Sequence, residues 1–295
     1  CSIDNLIYDL KRKANWIIEN IRENEWLENK AGYKHFNGYY DNDSQALEGD
    51  HPSGFRMTLT GQVFPIMSGV AEEKQVEEII KTADHYLKDE SVGGYRLNTN
   101  FNELLLNVGR AFGFAFGHKE NGAMFSHMAV MYSNALYQRG FAEAGNEVIS
   151  SIYEQALNFE ESKIYPGIPE YFNNRGRGMY HYLTGSASWL LLTVVTQIYG
   201  VRGKFGDLVL DPKLMPEQFD SNGKAEIKTL FAGEDLIVTY LNPEKTSYNN
   251  YEINKVLVNN REIDFESEGK KVIIDRNKLT DLVKTESLKI RVQLI

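Results

Sequence analysis

Leu190-Leu191-Leu192-Thr193-Val194-Val195-Thr196-Gln197-Ile198-Tyr199-Gly200, followed by Val201-Arg202-Gly203-Lys204-Phe205-Gly206-Asp207-Leu208-Val209-Leu210, is where the chain changes its period. Upstream of Gly200 the apolar spacing is helical. Leu6, Ile7, Leu10, Ala14, Ile17, Ile18 and Ile21 recur at intervals that place them on one helix face. The same pattern predicts helices over 63–70, 76–87, 124–137, 142–159 and 187–199. Downstream, Leu208 to Leu210, Ala225 to Leu230, Asp235 to Tyr240, Tyr251 to Val258, Lys271 to Ile274 and Leu288 to Ile295 are short alternating or β-branched runs. Asn259-Asn260 suits a tight hairpin, and Asn222-Gly223 a second turn. The chain is therefore mainly α followed by β, with a helical domain over 1–203 and a β-sandwich over 204–295.

The bulk properties narrow the functions. A formal net charge of -9 over 295 residues, with no massed Lys or Arg, argues against a nucleic-acid partner. The single cysteine, Cys1, excludes an internal disulfide. No apolar run approaches membrane-spanning length and no signal-peptide pattern is present, so the expected location is cytoplasmic. A start without Met inside an amphipathic pattern suggests a fragment.

Between the helices lie the aromatic, Gly- and Asn-rich connections 32–54, 93–107 and 165–182. Long ordered connections are where ligands usually bind. Tyr180-His181-Tyr182-Leu183-Thr184-Gly185-Ser186-Ala187-Ser188-Trp189 leads into an apolar helix. The first amides of a helix lack intrahelical acceptors and its dipole favours an anion there, while Gly185 allows close approach. An ordinary Thr or Ser N-cap explains the same residues. Arg175 and Arg177 lie among glycines just upstream, where arginine can reach a ligand bidentately or simply be solvated. Glu120-Asn121-Gly122 forms a turn before a helix carrying Ser126 and His127, and His127 reads either as a ligand or as a hydrogen-bonded core residue. Asn37-Gly38-Tyr39-Tyr40-Asp41-Asn42-Asp43 sets carboxylates beside aromatics. It lacks the spacing of a calcium loop, and no metal site, Walker loop or nucleophile elbow is found.

Taken together, Glu120-Asn121-Gly122 with His127, Pro169-Glu170-Tyr171, Leu183-Thr184-Gly185-Ser186-Ala187-Ser188-Trp189, and Gly206-Asp207-Leu208 with Pro212 resemble, in order and spacing, the cellobiose-phosphorylase family (glycoside hydrolase family 94). The resemblance implies the C-terminal part of an (α/α) six-hairpin toroid followed by a jelly-roll. It implies an inverting phosphorylase that cleaves a β-linked gluco-oligosaccharide with inorganic phosphate, as co-substrate and without a cofactor, to give α-glucose 1-phosphate. By the same resemblance His127, Thr184 and Gly185 bind phosphate and Glu120 binds the sugar; Arg175 and Glu170 are further candidates for binding the substrate. The family's general acid lies in a Gly-Asp-Trp-Asn-Asp-like motif that this chain lacks. No catalytic residue is therefore assigned here, the acid is expected upstream of Cys1, and the isolated chain is expected to be inactive. The Asn-rich Arg-Gly-Arg-Gly loop resembles the 1,2-β-oligoglucan phosphorylase branch. An inverting hydrolase using Glu170 as base, or a carbohydrate-binding fragment without catalysis, are the alternatives. A homodimer is compatible with the sequence.

Overall fold

The computed structural model describes residues 2–164, 167–181, 184–282 and 287–295, without the side chains of 111 and 280–282. Tyr182 and Leu183, which belong to the motif before Gly185, lie outside the described residues. The chain divides into two compact units, residues 1–139 with 147–189, and 140–146 with 190–295.

The helices, most of whose residues fall in the first unit, are α1 (Ile3–Asn24), α2 (Thr60–Ser68), α3 (Glu73–Tyr86), α4 (Ser126–Gln138), α5 (Ala142–Leu157), α6 (Phe159–Ser162) and α7 (Gly185–Thr193). The last begins at Gly185, where the Thr-Gly-Ser pattern places it. The α1 stripe is amphipathic, yet no residue of this helix is buried. The opposite holds for α4, whose Ala129–Tyr137 segment is buried on every side, as a helix apolar all round should be. It packs on α2, where Val63 and Ile66 are fully buried. Arg139 closes the α2–α3 turn, donating from Nη1 to the carbonyls of Ile66 (3.0 Å) and Ala71 (2.8 Å).

Short turns (69–72 and 139–141) alternate with three long connections (25–59, 87–125 and 158–184). The long ones are not free loops. Each contains short strand pairs too brief to carry a period: Trp26–Glu28 with Lys34–Phe36 and Gly49–His51 with Gly54–Arg56, then Lys88–Asp89 with Gly94–Tyr95, then Tyr171–Phe172 with Gly178–Met179. They are also tied to one another. Asn107 Nδ2 donates to Asp41 Oδ2 (2.8 Å), Arg56 pairs with Glu103, and Leu59 N donates to Leu97 O (2.7 Å). Asn174 Nδ2 donates to Phe116 O (2.8 Å), and Arg96 Nη1 to Asn174 Oδ1 (2.9 Å).

One buried carboxylate organises the first connection. Glu48, 3% exposed, accepts from the backbone amides of Gly38 and Thr58 and draws the Asn37–Tyr40 turn onto the start of α2. The approach is so close that a Cβ on Gly38 would strike the Gly61 backbone. Burial pushes the Glu48 carboxyl up to about 7, against those amide bonds.

Gly200 ends the helical part for a physical reason. Helix α7 widens into a π turn over Val194–Ile198, and Gly200 then adopts φ +64°. Its carbonyl accepts from Asp211 N (3.0 Å), and a Cβ would collide with the Asp211 carbonyl and lie 2.6 Å from Pro212 N. We expect Gly200→Ala to lower stability by about 2–4 kcal/mol, combining the left-handed penalty with backbone overlap. Equilibrium urea unfolding checks this; a loss under 0.5 kcal/mol refutes the reading.

Among the described residues of the second unit, two sheets are present. One runs Val201–Lys204, Asp207–Leu210, Lys271–Ile274, Glu266–Glu268, all antiparallel. The other runs Lys224–Phe231, Glu234–Leu241, Leu288–Leu294, Ile253–Val258, Arg261–Glu262, with a parallel pair between Glu234–Leu241 and Leu288–Leu294. Asn259 and Asn260, at φ +47° and +66°, make the expected two-residue hairpin, with Val258 opposite Arg261. Strict alternation along Leu288–Leu294 buries Leu288, Ile290, Val292 and Leu294 and exposes Lys289, Arg291 and Gln293. The helix Arg276–Leu282 falls where only strands are expected from the sequence.

Candidate functional site

A three-stranded ribbon brings the predicted residues together. Met124–Phe125 pairs with Tyr171–Phe172, which pairs with Gly178–Met179. The first strand runs straight into α4, so Ser126 and His127 are its first residues. Glu170 precedes the central strand and Tyr180 follows the third. Ser126 N donates to Glu170 O (2.9 Å), and Glu170 N to Met179 O (3.1 Å). The ribbon thus fixes Glu170 beside the start of α4.

On one side of this ribbon is a cavity of about 160 Å³. Its acidic wall is Glu120 and Glu170; its aromatic wall is Phe125, Tyr171 and Tyr180; Arg110 and Lys119 complete it. Glu120 Oε1 accepts from Arg110 Nη2 at 2.9 Å, while its buried Oε2 has no hydrogen-bond partner. Buried acceptors are rarely left so, and a ligand hydroxyl would satisfy this one. Lys119 Nζ lies 5.1 Å from the ring centroids of both Phe114 and Tyr180, a cation–π arrangement. Its bond to Tyr180 holds the Lys119 ammonium above its usual range. Lys119 and Tyr180 have φ +49° and +56°, a backbone state unusual for such residues and concentrated at functional sites.

Beside this cavity, His127 meets the start of α7. The imidazole lies so close to Gly185 that a Cβ there would be 2.6 Å from Nδ1 and nearer still to Cε1. His127 Nε2 is buried and unpartnered. Burial lowers the His127 pKa, opposed by Glu170. Thr184 Oγ1 lies 2.8 Å from the buried Ser186 Oγ. His127 and Gly185 each sit in the first turn of a helix, so the positive ends of two helix dipoles converge here. Amides of two first helical turns, two hydroxyls and one imidazole are thus gathered in one place, the kind of group by which helix starts can hold an anion.

Not every predicted residue joins. Arg175 stands exposed in the turn between Tyr171–Phe172 and Gly178–Met179, with its amide on Asn173 Oδ1 (2.9 Å), and it does not line the cavity. The Asp41 carboxylate is spent on its own turn, accepting from Asp43 N, Gln45 N and Asn107 Nδ2. Arg110, Lys119 and Tyr180 line the cavity although spacing alone does not single them out. Left-handed backbone at Lys or Tyr has no signature in a sequence.

Residues 4–200 match the family model described as the glycosyl hydrolase 94 superfamily, catalytic domain. The chain belongs to that superfamily. Two relatives are a cellobionic acid phosphorylase of Neurospora crassa, 24% identical over 181 residues, and a solabiose phosphorylase of Paenibacillus borealis, 22% identical over 250 residues. The alignments cover 56% and 82% of this chain but only 22% and 31% of the relatives, so the chain spans less than a third of either. A solved structure named sialidase shares the fold, with a TM-score of 0.55 and 13% identity over 92% of this chain and 24% of its own. His127, Thr184, Gly185 and the residues lining the cavity lie inside the stretch matched to the glycosyl hydrolase 94 superfamily.

Proposed function

We propose that this chain is part of an inverting glycoside phosphorylase that cleaves a β-linked gluco-oligosaccharide with inorganic phosphate to give α-glucose 1-phosphate. The observation carrying the reading is the close approach of the His127 ring, whose buried Nε2 has no hydrogen-bond partner, to the Gly185 backbone, beside a cavity lined by Glu120, whose buried Oε2 also has none. In this reading phosphate occupies the cradle of His127, Thr184 and Gly185. Glu120, with Glu170, accepts hydroxyls of the transferred sugar against the aromatic wall. Phosphate is itself the nucleophile: its oxygen bonds to the anomeric carbon as the glycosidic bond breaks, and one acid protonates the leaving oxygen. No carboxylate base is required. The names of both relatives, each a phosphorylase, support this choice over hydrolysis.

The alternation of short turns with long connections supports a place for the helices in an (α/α) six-hairpin toroid, and the paired sheets support a jelly-roll. The Gly-Asp-Trp-Asn-Asp-like acid motif is absent from the sequence, and Asp41 is committed to its turn. The isolated chain therefore binds phosphate without turnover. Calorimetry with inorganic phosphate, beside an assay for glucose 1-phosphate from β-gluco-oligosaccharides, tests both halves. We expect measurable binding and no product. Product from the chain alone overturns its inactivity, absence of phosphate binding overturns the cradle, and sugar release in phosphate-free buffer establishes a hydrolase instead.

A further inference from the structure

The outer face of the five-stranded sheet has a charge that the rest of the chain does not share. A groove of about 660 Å³ opens there, lined by Lys224 and Lys228 along one side and Lys289 and Arg291 along the other. Register sets these cations in ranks. Lys228, Ile237 and Lys289 lie opposite one another across three strands, as do Glu226, Thr239 and Arg291. The two cationic sides are thus about 10 Å apart, two strand spacings, with Ile237 and Leu241 as the floor. Glu226 is the one carboxylate of the lining, and it is already engaged by Lys224 Nζ (2.8 Å) and Thr239 Oγ1 (2.9 Å). Among the described residues Lys289 and Arg291 form no ion pair, and Lys228 acts on Glu226 only through space. Such a set of cations inside a chain of net charge -9 is a local inversion of sign.

We propose that this groove binds an acidic oligosaccharide, a short glycan bearing carboxylates. Charge complementarity selects an anion. The lining carries no aromatic side chain, so it has no platform on which a neutral sugar ring or a nucleic-acid base would stack. Asn260, held at the rim by the hairpin, supplies an amide suited to sugar hydroxyls, while Asn259 braces that rim by accepting from Lys289 N (3.0 Å). The net charge of -9 repels a long polyanion and favours a short one.

The test titrates the whole chain with oligogalacturonate, with neutral β-gluco-oligosaccharides of equal length, and with a single-stranded DNA oligomer. Oligogalacturonate is expected to bind measurably and to weaken severalfold as salt rises from about 50 to about 200 mM. The pair Lys289→Glu and Arg291→Glu should weaken it about tenfold or more, and Lys228→Gln by a few fold. All three side chains are exposed, and an unchanged melting temperature verifies folding. Gly185→Ala should leave this binding untouched, which separates the groove from the phosphate cradle. Equal binding of the neutral oligosaccharide, equal binding of the DNA, or indifference to the charge reversals would each overturn the proposal.

Discussion

Gly185→Ala should leave the chain folded and weaken phosphate binding by about a hundredfold, equivalent to roughly 2–3 kcal/mol. The added methyl has nowhere to go: it meets the His127 imidazole at 2.6 Å from Nδ1 and closer at Cε1. Because that neighbour is the end of a side chain, the ring can yield and the fold survives. Alanine also suits a helix better than glycine, by up to about 1 kcal/mol. The displaced ring no longer presents Nε2, and the methyl covers the amides that the anion would approach. Hydrogen bonds to a charged ligand are worth about 1.5–3 kcal/mol each, so one or two losses account for the effect. Calorimetric titration with phosphate, beside a thermal melt, separates the outcomes. Unchanged affinity with an unchanged melt would remove Gly185 from the cradle.

Glu48→Gln should be the most pH-revealing substitution in the first unit. Two buried groups there titrate in opposite senses. The Glu48 carboxyl sits at about 7 in the fold against an ordinary 4.5, so the folded state holds the extra proton between those values. Its contribution is fully present below about 4.5 and is lost as pH rises through 7. Burial depresses His35 from 6.5 to about 4, against a smaller opposing pull from Asp50, and neither ring nitrogen finds a partner. The unfolded chain then binds the extra proton, so this contribution is present above about 6.5 and is lost on acidification toward 4. Between about 4.5 and 6.5 the two slopes oppose each other, and stability should be nearly flat there. Each separation between folded and ordinary value sets a ceiling of about 3 kcal/mol. Glu48→Gln should uncover the His35 limb, with stability falling steadily as pH drops from 6.5. His35→Leu should uncover the Glu48 limb, with stability falling as pH rises toward 7. The glutamine variant is also less stable throughout by about 1–3 kcal/mol, because its NH2 must face a backbone N–H that the carboxylate accepted. Urea unfolding at half-unit pH steps checks both limbs; parallel curves for wild type and both variants would refute the pairing.

Much of this architecture is legible in residues. The period change at Gly200, the apolar faces of α2 and α3, and the Asn259-Asn260 turn are each local signals, and each corresponds to an element of the structure. The pairing of His127 with Gly185 was legible only through the spacing of two motifs. It depends on α4 and α7 meeting at their first turns, which no local pattern states. Arg175 illustrates the limit in the other direction: a loop arginine among glycines can reach a ligand, but hairpin geometry sets this one outside the cavity. Lys119 and Tyr180 were invisible because backbone conformation at such residues is imposed by the connections around them. The short strand pairs leave no signal in the sequence because two or three residues hold no period.

The lateral bonds among the three long connections have a consequence for motion. Asp41 to Asn107, Arg56 to Glu103 and Asn174 to Phe116 tie segments that are distant in sequence to one another through their side chains. Amides there cannot exchange with solvent by the fraying of a single loop. They are expected to open together, as one cooperative patch with a common protection against deuterium.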